Sequence, residues 1–240
     1  MKRSILLLAA LSTFAAEPLA PDVRAKMIAS FEQTVKSADA AIARDATQVR
    51  AYSSRGDAQL FLGKAKEAVA DFEKMIALDP SQDAPHWRLG IAYYFAGDFA
   101  KSAKQFEKYH AYDDHDRENG VWKFFAQAKS ADGIEKARKE MLEYKRFDRE
   151  PFPAVYDMLA GKKTAAEVLT ELDKKGLKDD ALVMFFAHYY IGWYEQLLGN
   201  AAVAKEHLRS AVELAQKAGA GGGPGYMGQV ARLHYEALKP

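Results

Sequence analysis

The chain has no cysteine among its 240 residues. That absence excludes thiol nucleophiles, disulfides, cysteine-held metals and lipid attachment through a cysteine. Familiar catalytic motifs are missing as well. There is no phosphate-binding loop ending in Gly-Lys-Ser/Thr, no His-Glu-x-x-His and no Gly-x-Ser-x-Gly. Neither sign of charge is in excess. The 34 Lys and Arg face 33 Asp and Glu, a formal net charge of +1, which offers no broad attraction to nucleic acid or anionic lipid. No stretch alternates with period two, so no strand is expected. Apolar residues are plentiful, at 49% of the chain, enough for a sizeable core.

The first sixteen residues differ from the rest. Lys2 and Arg3 precede the apolar run from Ile5 to Leu11, and Ser12, Thr13, Ala15 and Ala16 come after it. This order of charge, apolar run and small residues reads as a secretory signal peptide over 1–16, cleaved near Ala15 or Ala16. The run is far shorter than the roughly 20 residues a spanning helix needs. The expectation is an exported protein, periplasmic or secreted, with no membrane attachment after cleavage. Its mature chain would have 224 residues and a net charge of −1. Next, Val23, Met27, Phe31, Val35, Ala38 and Ile42 step by threes and fours. That spacing predicts an amphipathic helix within 17–44, capping the helical array C-terminal to it.

A longer period runs through the remainder. Gly56 and Gly90 are 34 residues apart, as are Phe72 and Phe106, and Gly192 lies three such periods beyond Gly90. Gly56 precedes Ala68 by 12 residues, and Gly192 precedes Ala204 by the same interval. In the second unit Ser102 and Phe106 hold the places of Ala68 and Phe72. A period in this range marks stacked helical hairpins. Small residues let two helices approach, an aromatic fills the adjoining gap, and neighbouring hairpins bury what one cannot.

Leu89-Gly90-x-x-Tyr93 and Ala68-x-x-x-Phe72, the latter followed by Pro80, resemble the tetratricopeptide repeat (TPR). The resemblance implies an all-α solenoid over 45–240. Its better repeats fall at about 49–82, 83–116 and 185–218, with degenerate units over 117–184 and a last helix at 226–238. The first unit departs from the family pattern at Arg55 and Gln59. The second has Asp114 in place of the closing proline, and the last has Glu195 and Gln216 where tyrosine and proline are usual. Within 117–184, helices are expected over Asp116–Ser130, over Asp132–Leu142 and from Pro151 and Pro153 to Ala160. Another starts at the capping box Thr164-x-x-Glu167 and is stopped by Gly176. The layout also resembles exported bacterial TPR lipoproteins that dock cell-wall hydrolases, a likeness that implies a part in cell-envelope assembly. The missing cysteine departs from that group.

Chemistry-bearing clusters are few. Gly223, Gly225 and Gly228 match Gly-x-Gly-x-x-Gly, but they come after a helix and contain Pro224, which reads as a linker and not a dinucleotide loop. His110, Asp113, Asp114, His115 and Asp116 read as a solvated loop before a helix N-terminus, not as a metal site. His207 and His234 read as surface or packing residues. No cofactor, no metal and no catalytic residue is expected, so the chain is read as a binding module and not an enzyme. The TPR resemblance implies that the first helix of each unit lines a concave groove. That stripe comprises Arg50, Ser53, Asp57, Trp87, Ile91, Tyr94, Val121, Phe125, Tyr189 and Trp193. The partner expected there is a peptide or protein segment gripped by aromatic anchors. The alternative is a small ligand, a glycan or peptide fragment, on the same aromatic surface. A closed pocket favours that alternative and an open groove favours a protein. An incompletely capped array can also self-associate through its end units.

Overall fold

The computed structural model describes residues 17–131, 133–146, 148–219 and 224–238, and among them no strand occurs. The first sixteen residues, and with them the expected signal peptide, lie outside the described part. The elements are helices in antiparallel pairs, an all-α TPR-type solenoid. Helix α1 (Pro21–Arg44) precedes the first pair, α2 (Val49–Phe61) and α3 (Ala65–Leu78). The second pair is α4 (Trp87–Phe95) and α5 (Phe99–Tyr112). A shortened third comes next, α6 (Arg117–Lys129) and α7 (Gly133–Lys139), then α8 (Phe152–Leu159) with α9 (Ala165–Lys174). The last pair is α10 (Ala181–Leu197) and α11 (Ala201–Ala218), and α12 (Tyr226–Ala237) ends the fold.

The recurring glycines sit where the two helices of a pair touch. A Cβ on Gly56 would come within 2.6 Å of the Phe72 ring, and one on Gly90 within 2.7 Å of the Phe106 ring. On Gly192 it would meet the Leu208 backbone nitrogen and Cγ at 2.9 Å, and the Ala204 carbonyl oxygen at 3.1 Å. Ala68, Ser102 and Ala204 are wholly buried at the matching points of the second helices. The Ser102 hydroxyl donates to the Gly90 carbonyl oxygen at 2.8 Å, which satisfies a group that close packing would otherwise strand. Gly97 and Gly199 turn the chain between paired helices at φ of 82° and 86°, a region that favours glycine. In the Gly192→Ala variant the added methyl abuts backbone, which cannot swing aside. That variant is expected to lose about 2 kcal/mol by urea unfolding, overpacking outweighing alanine's helix preference. Unchanged or raised stability would mean that α10 and α11 are not in contact there.

The departure at Arg55 has partners. Arg55 donates to both Asp71 oxygens, at 2.9 and 2.6 Å, and to Asp39 of α1 at 2.6 Å. A charged residue in an apolar place thus clips α1 onto the first pair. The third unit ends early, and its end is held by side chains. The Lys123 ammonium donates to the Glu140 carbonyl oxygen at 2.7 Å and the Tyr156 hydroxyl to that of Leu142 at 2.7 Å. Side chains of α6 and α8 thus satisfy the carbonyls just past the end of α7, which stops at Lys139 instead of reaching Leu142. The expected capping box is present at the start of α9. Thr164 accepts from the Glu167 N–H and Glu167 from the Thr164 N–H. Phe152, Val155, Met158 and Leu159 of α8 are wholly buried, so the pair α8–α9 fills space between α6 and α10 as part of the core.

Candidate functional site

Helices α2, α4, α6 and α10 present their stripe to a common concavity, and α12 lies in it. Of the ten residues expected to line an accessible groove, Ile91, Tyr94, Val121, Phe125, Tyr189 and Trp193 are buried. That part of the expectation is corrected: these six are internal packing, with His234 of α12 against Tyr94, Tyr189 and Trp193 and α8 packed on α6 and α10. Arg50 is exposed, and Ser53, Asp57 and Trp87 are half-buried.

Helix α12 carries Met227, Val230, Ala231 and Tyr235 into the core, together with His234 and Arg232. The His234 ring lies 4.5 Å from Trp193, 4.7 Å from Phe95 and 5.6 Å from Tyr189, centroid to centroid. Its Nδ1 meets the Tyr189 hydroxyl at 2.8 Å, while its Nε2 has no partner. Burial first, and the nearby Lys129 second, push His234 down to about 3. The ring is therefore neutral at neutral pH. Trp193 stacks on Phe125 at 3.8 Å and donates its indole N–H to the Tyr94 hydroxyl at 3.0 Å. Arg232, 2% exposed, donates to the Phe61 carbonyl oxygen of α2 and pairs with Glu236 at 2.8 Å. Glu236 also holds Arg24 of α1 at 2.8 Å, so α12 is tied to α1 and α2 at the N-terminal end of the array.

Where α12 begins, the groove is not filled. Trp87 and Ile91 of α4, Phe106 of α5, Trp122 of α6, and Tyr226 and Met227 of α12 wall a cavity of about 320 Å³. Asp116, Glu118 and Asn119 line another side of it. Asp116 caps α6, its side chain accepting the Glu118 N–H at 3.0 Å. Glu118 sits in the first turn, its side chain 12% exposed. Arg149, from the segment before α8, donates to Glu118 at 2.6 Å and to Asp116 at 3.2 Å. The Tyr190 hydroxyl of α10 donates to Glu118 at 2.5 Å. Burial, with Asp116 adding to it, raises Glu118 to about 7 despite Arg149 and Tyr190. At the far side, Asp57 pairs with Arg88 beside Tyr226. Burial raises Asp57 to about 6 against the pull of Arg88.

The sequence stripe supplied Trp87 and Ile91 of this cavity but not its polar side. Trp122 was legible only as an apolar position of its helix. Glu118 looks like any acid in a first turn, and Arg149 sits in an irregular charged segment without a motif. The histidine–aspartate loop gathers Asp113, Asp114 and His115 within 4.8 Å, all at or near the surface. His207 lies against His188, Nδ1 to Nδ1 at 2.9 Å.

Comparison with known proteins agrees with the helical repeat. Residues 5–116, just under half of the chain, match a family described as "Bacterial transcriptional activator domain". A second similarity is to "Hsp70-Hsp90 organizing protein 3" of Arabidopsis thaliana, at 33% identity over 78 residues. The match covers 32% of this chain and 14% of that relative. Both are TPR-like helical repeats, which is the architecture described above. Neither bears on the layout resemblance to exported lipoproteins. The family match also begins at residue 5, inside the segment read as a signal peptide.

Proposed function

We propose that the chain is a protein-interaction module without chemistry of its own, whose concave face recognises an amphipathic helix. The observation that carries this reading is α12. An aromatic-lined concavity of a helical repeat already holds a helix through apolar anchors, the way such grooves take partner segments. Tethered to its site, α12 needs only weak intrinsic affinity to stay seated, and a partner helix of similar pattern competes with it. A polar atom on α12 also favours exchange. His234 Nε2 is buried without a partner, a cost to docking.

The test is a cross-linked pull-down from host extract with the full chain and a Met227→Asp, Val230→Asp variant, checked by circular dichroism. Buried charge on α12 should unseat it and raise capture of a partner several-fold. A peptide of residues 224–238 should then compete that partner away. Capture that falls with the variant, or that the peptide leaves untouched, would sink the reading.

For location we propose export, on the strength of Lys2, Arg3 and the apolar run after them, with work in the cell envelope. The match to a transcriptional activator domain supports a second reading, an intracellular regulator that keeps its N-terminus. The intact mass of the protein purified from its host separates them, since export removes about sixteen residues.

A further inference from the structure

We propose that the cavity between α4, α6 and the start of α12 binds one neutral sugar ring, such as a hexose or N-acetylhexosamine unit. The inference does not depend on the protein-interaction reading, since the cavity is too small for a helix and lies beside the one already seated.

The walls carry flat apolar faces and the floor carries fixed acceptors. Trp87 and Tyr226 meet edge to face at 4.8 Å and 79°, and Trp87 is half-buried, so it keeps part of its surface free. The C–H faces of a pyranose pack against such rings, which bring large contact area and a polar edge. Asp116 and Glu118 each have acceptor capacity left. A carboxylate offers about four lone-pair positions. Glu118 uses its oxygens for Tyr190 and Arg149, and Asp116 uses one for Arg149 and its cap. Ring hydroxyls are suited to the remainder, as donors in known directions.

One observation selects a neutral polyol over an organic cation, the other ligand that aromatics and acids attract. The Arg149 guanidinium already lies 2.6 and 3.2 Å from the two carboxylates, where it opposes a second positive charge. The Trp122 indole N–H, on a side chain 1% exposed, is turned to the Tyr190 hydroxyl that in turn reaches Glu118, so the donors on that side of the carboxylate are already committed. The volume of about 320 Å³ is at the small end of the range for ligand sites, suited to one ring and not to a chain of them.

The full chain would be titrated with methyl α-D-glucopyranoside, methyl α-D-mannopyranoside, methyl α-D-galactopyranoside and N-acetyl-D-glucosamine. Tryptophan fluorescence and saturation-transfer NMR would be read, with tetramethylammonium chloride beside them. At least one sugar should bind with Kd of about 1 mM, and Trp87→Ala and Glu118→Gln should each weaken it about tenfold. Circular dichroism of both variants should match the parent. No binding of any of the four sugars up to about 100 mM would overturn the proposal. So would binding of tetramethylammonium without a sugar, or sugar binding indifferent to both substitutions.

Discussion

Trp193→Ala should lose about 5 kcal/mol of unfolding free energy. Trp193 is a large fully buried side chain, and truncating such a tryptophan typically costs about 3–5 kcal/mol in transfer and cavity terms. Its loss would strip the stacked partner from Phe125 at 3.8 Å and leave the Tyr94 hydroxyl without the N–H it accepts at 3.0 Å. A buried polar group left unsatisfied adds about 1 kcal/mol or more. His234, 4.5 Å away, would lose a wall as well. Neighbouring helices cannot collapse into the gap, since Trp122, Phe125 and Tyr189 around it are held by their own rings. The measurement is a urea denaturation of parent and variant at pH 7.5, comparing midpoints at equal slope. A loss under about 1 kcal/mol would be the signature of a surface residue, and would return Trp193 to an open groove.

The contrast between core and groove marks where sequence reasoning stopped. The repeat was legible because a close helix contact demands a residue without a side chain at a fixed interval. Gly56, Gly90 and Gly192 each oppose a bulky residue of the paired helix. The inward stripe was legible for a similar reason, since its spacing by threes and fours comes from helix geometry. The cover over the stripe was not legible. Met227, Val230 and Tyr235 mark α12 as amphipathic, but the preceding glycines specify no direction, and the destination of a helix is a tertiary fact. Arg232 and His234 even argue against burial by type. They are buried because Glu236 and the Phe61 carbonyl oxygen serve the arginine and the Tyr189 hydroxyl serves the histidine. The polar side of the cavity hid for another reason. Asp116, Glu118, Arg149 and Tyr190 come from three separate segments, and no spacing along the chain links them.

Acid should loosen the seat of α12, through His234. An isolated histidine titrates near 6.5, and burial among Trp193, Trp122, Tyr189, Tyr94 and Phe95 pushes this one down to about 3, with Lys129 adding to it. The folded value lies below the unfolded one. The contribution is therefore whole above pH 6.5 and is lost as pH falls from there towards 3. At about 1.4 kcal/mol per unit, His234 accounts for roughly 2 kcal/mol at pH 5 and about 5 kcal/mol once both states are protonated. His86 and His188, each pushed to about 4 by burial, act in the same direction. Glu118 and Asp57 oppose them. Their folded values are raised to about 7 and about 6, so protonation relieves a cost as pH falls through that range. The parent's own pH profile sums these opposing groups, and a difference between two proteins isolates one. His234→Phe keeps an aromatic ring but leaves the Tyr189 hydroxyl without its partner, so at pH 7.5 the variant should be less stable by about 1 kcal/mol. Below pH 6.5 it has no ring to protonate, and the two curves should cross between about pH 6 and pH 5. Urea midpoints at half-unit intervals would reveal the crossing. Parallel curves over that range would mean that His234 is reached by water in the folded chain, and that α12 does not close the groove.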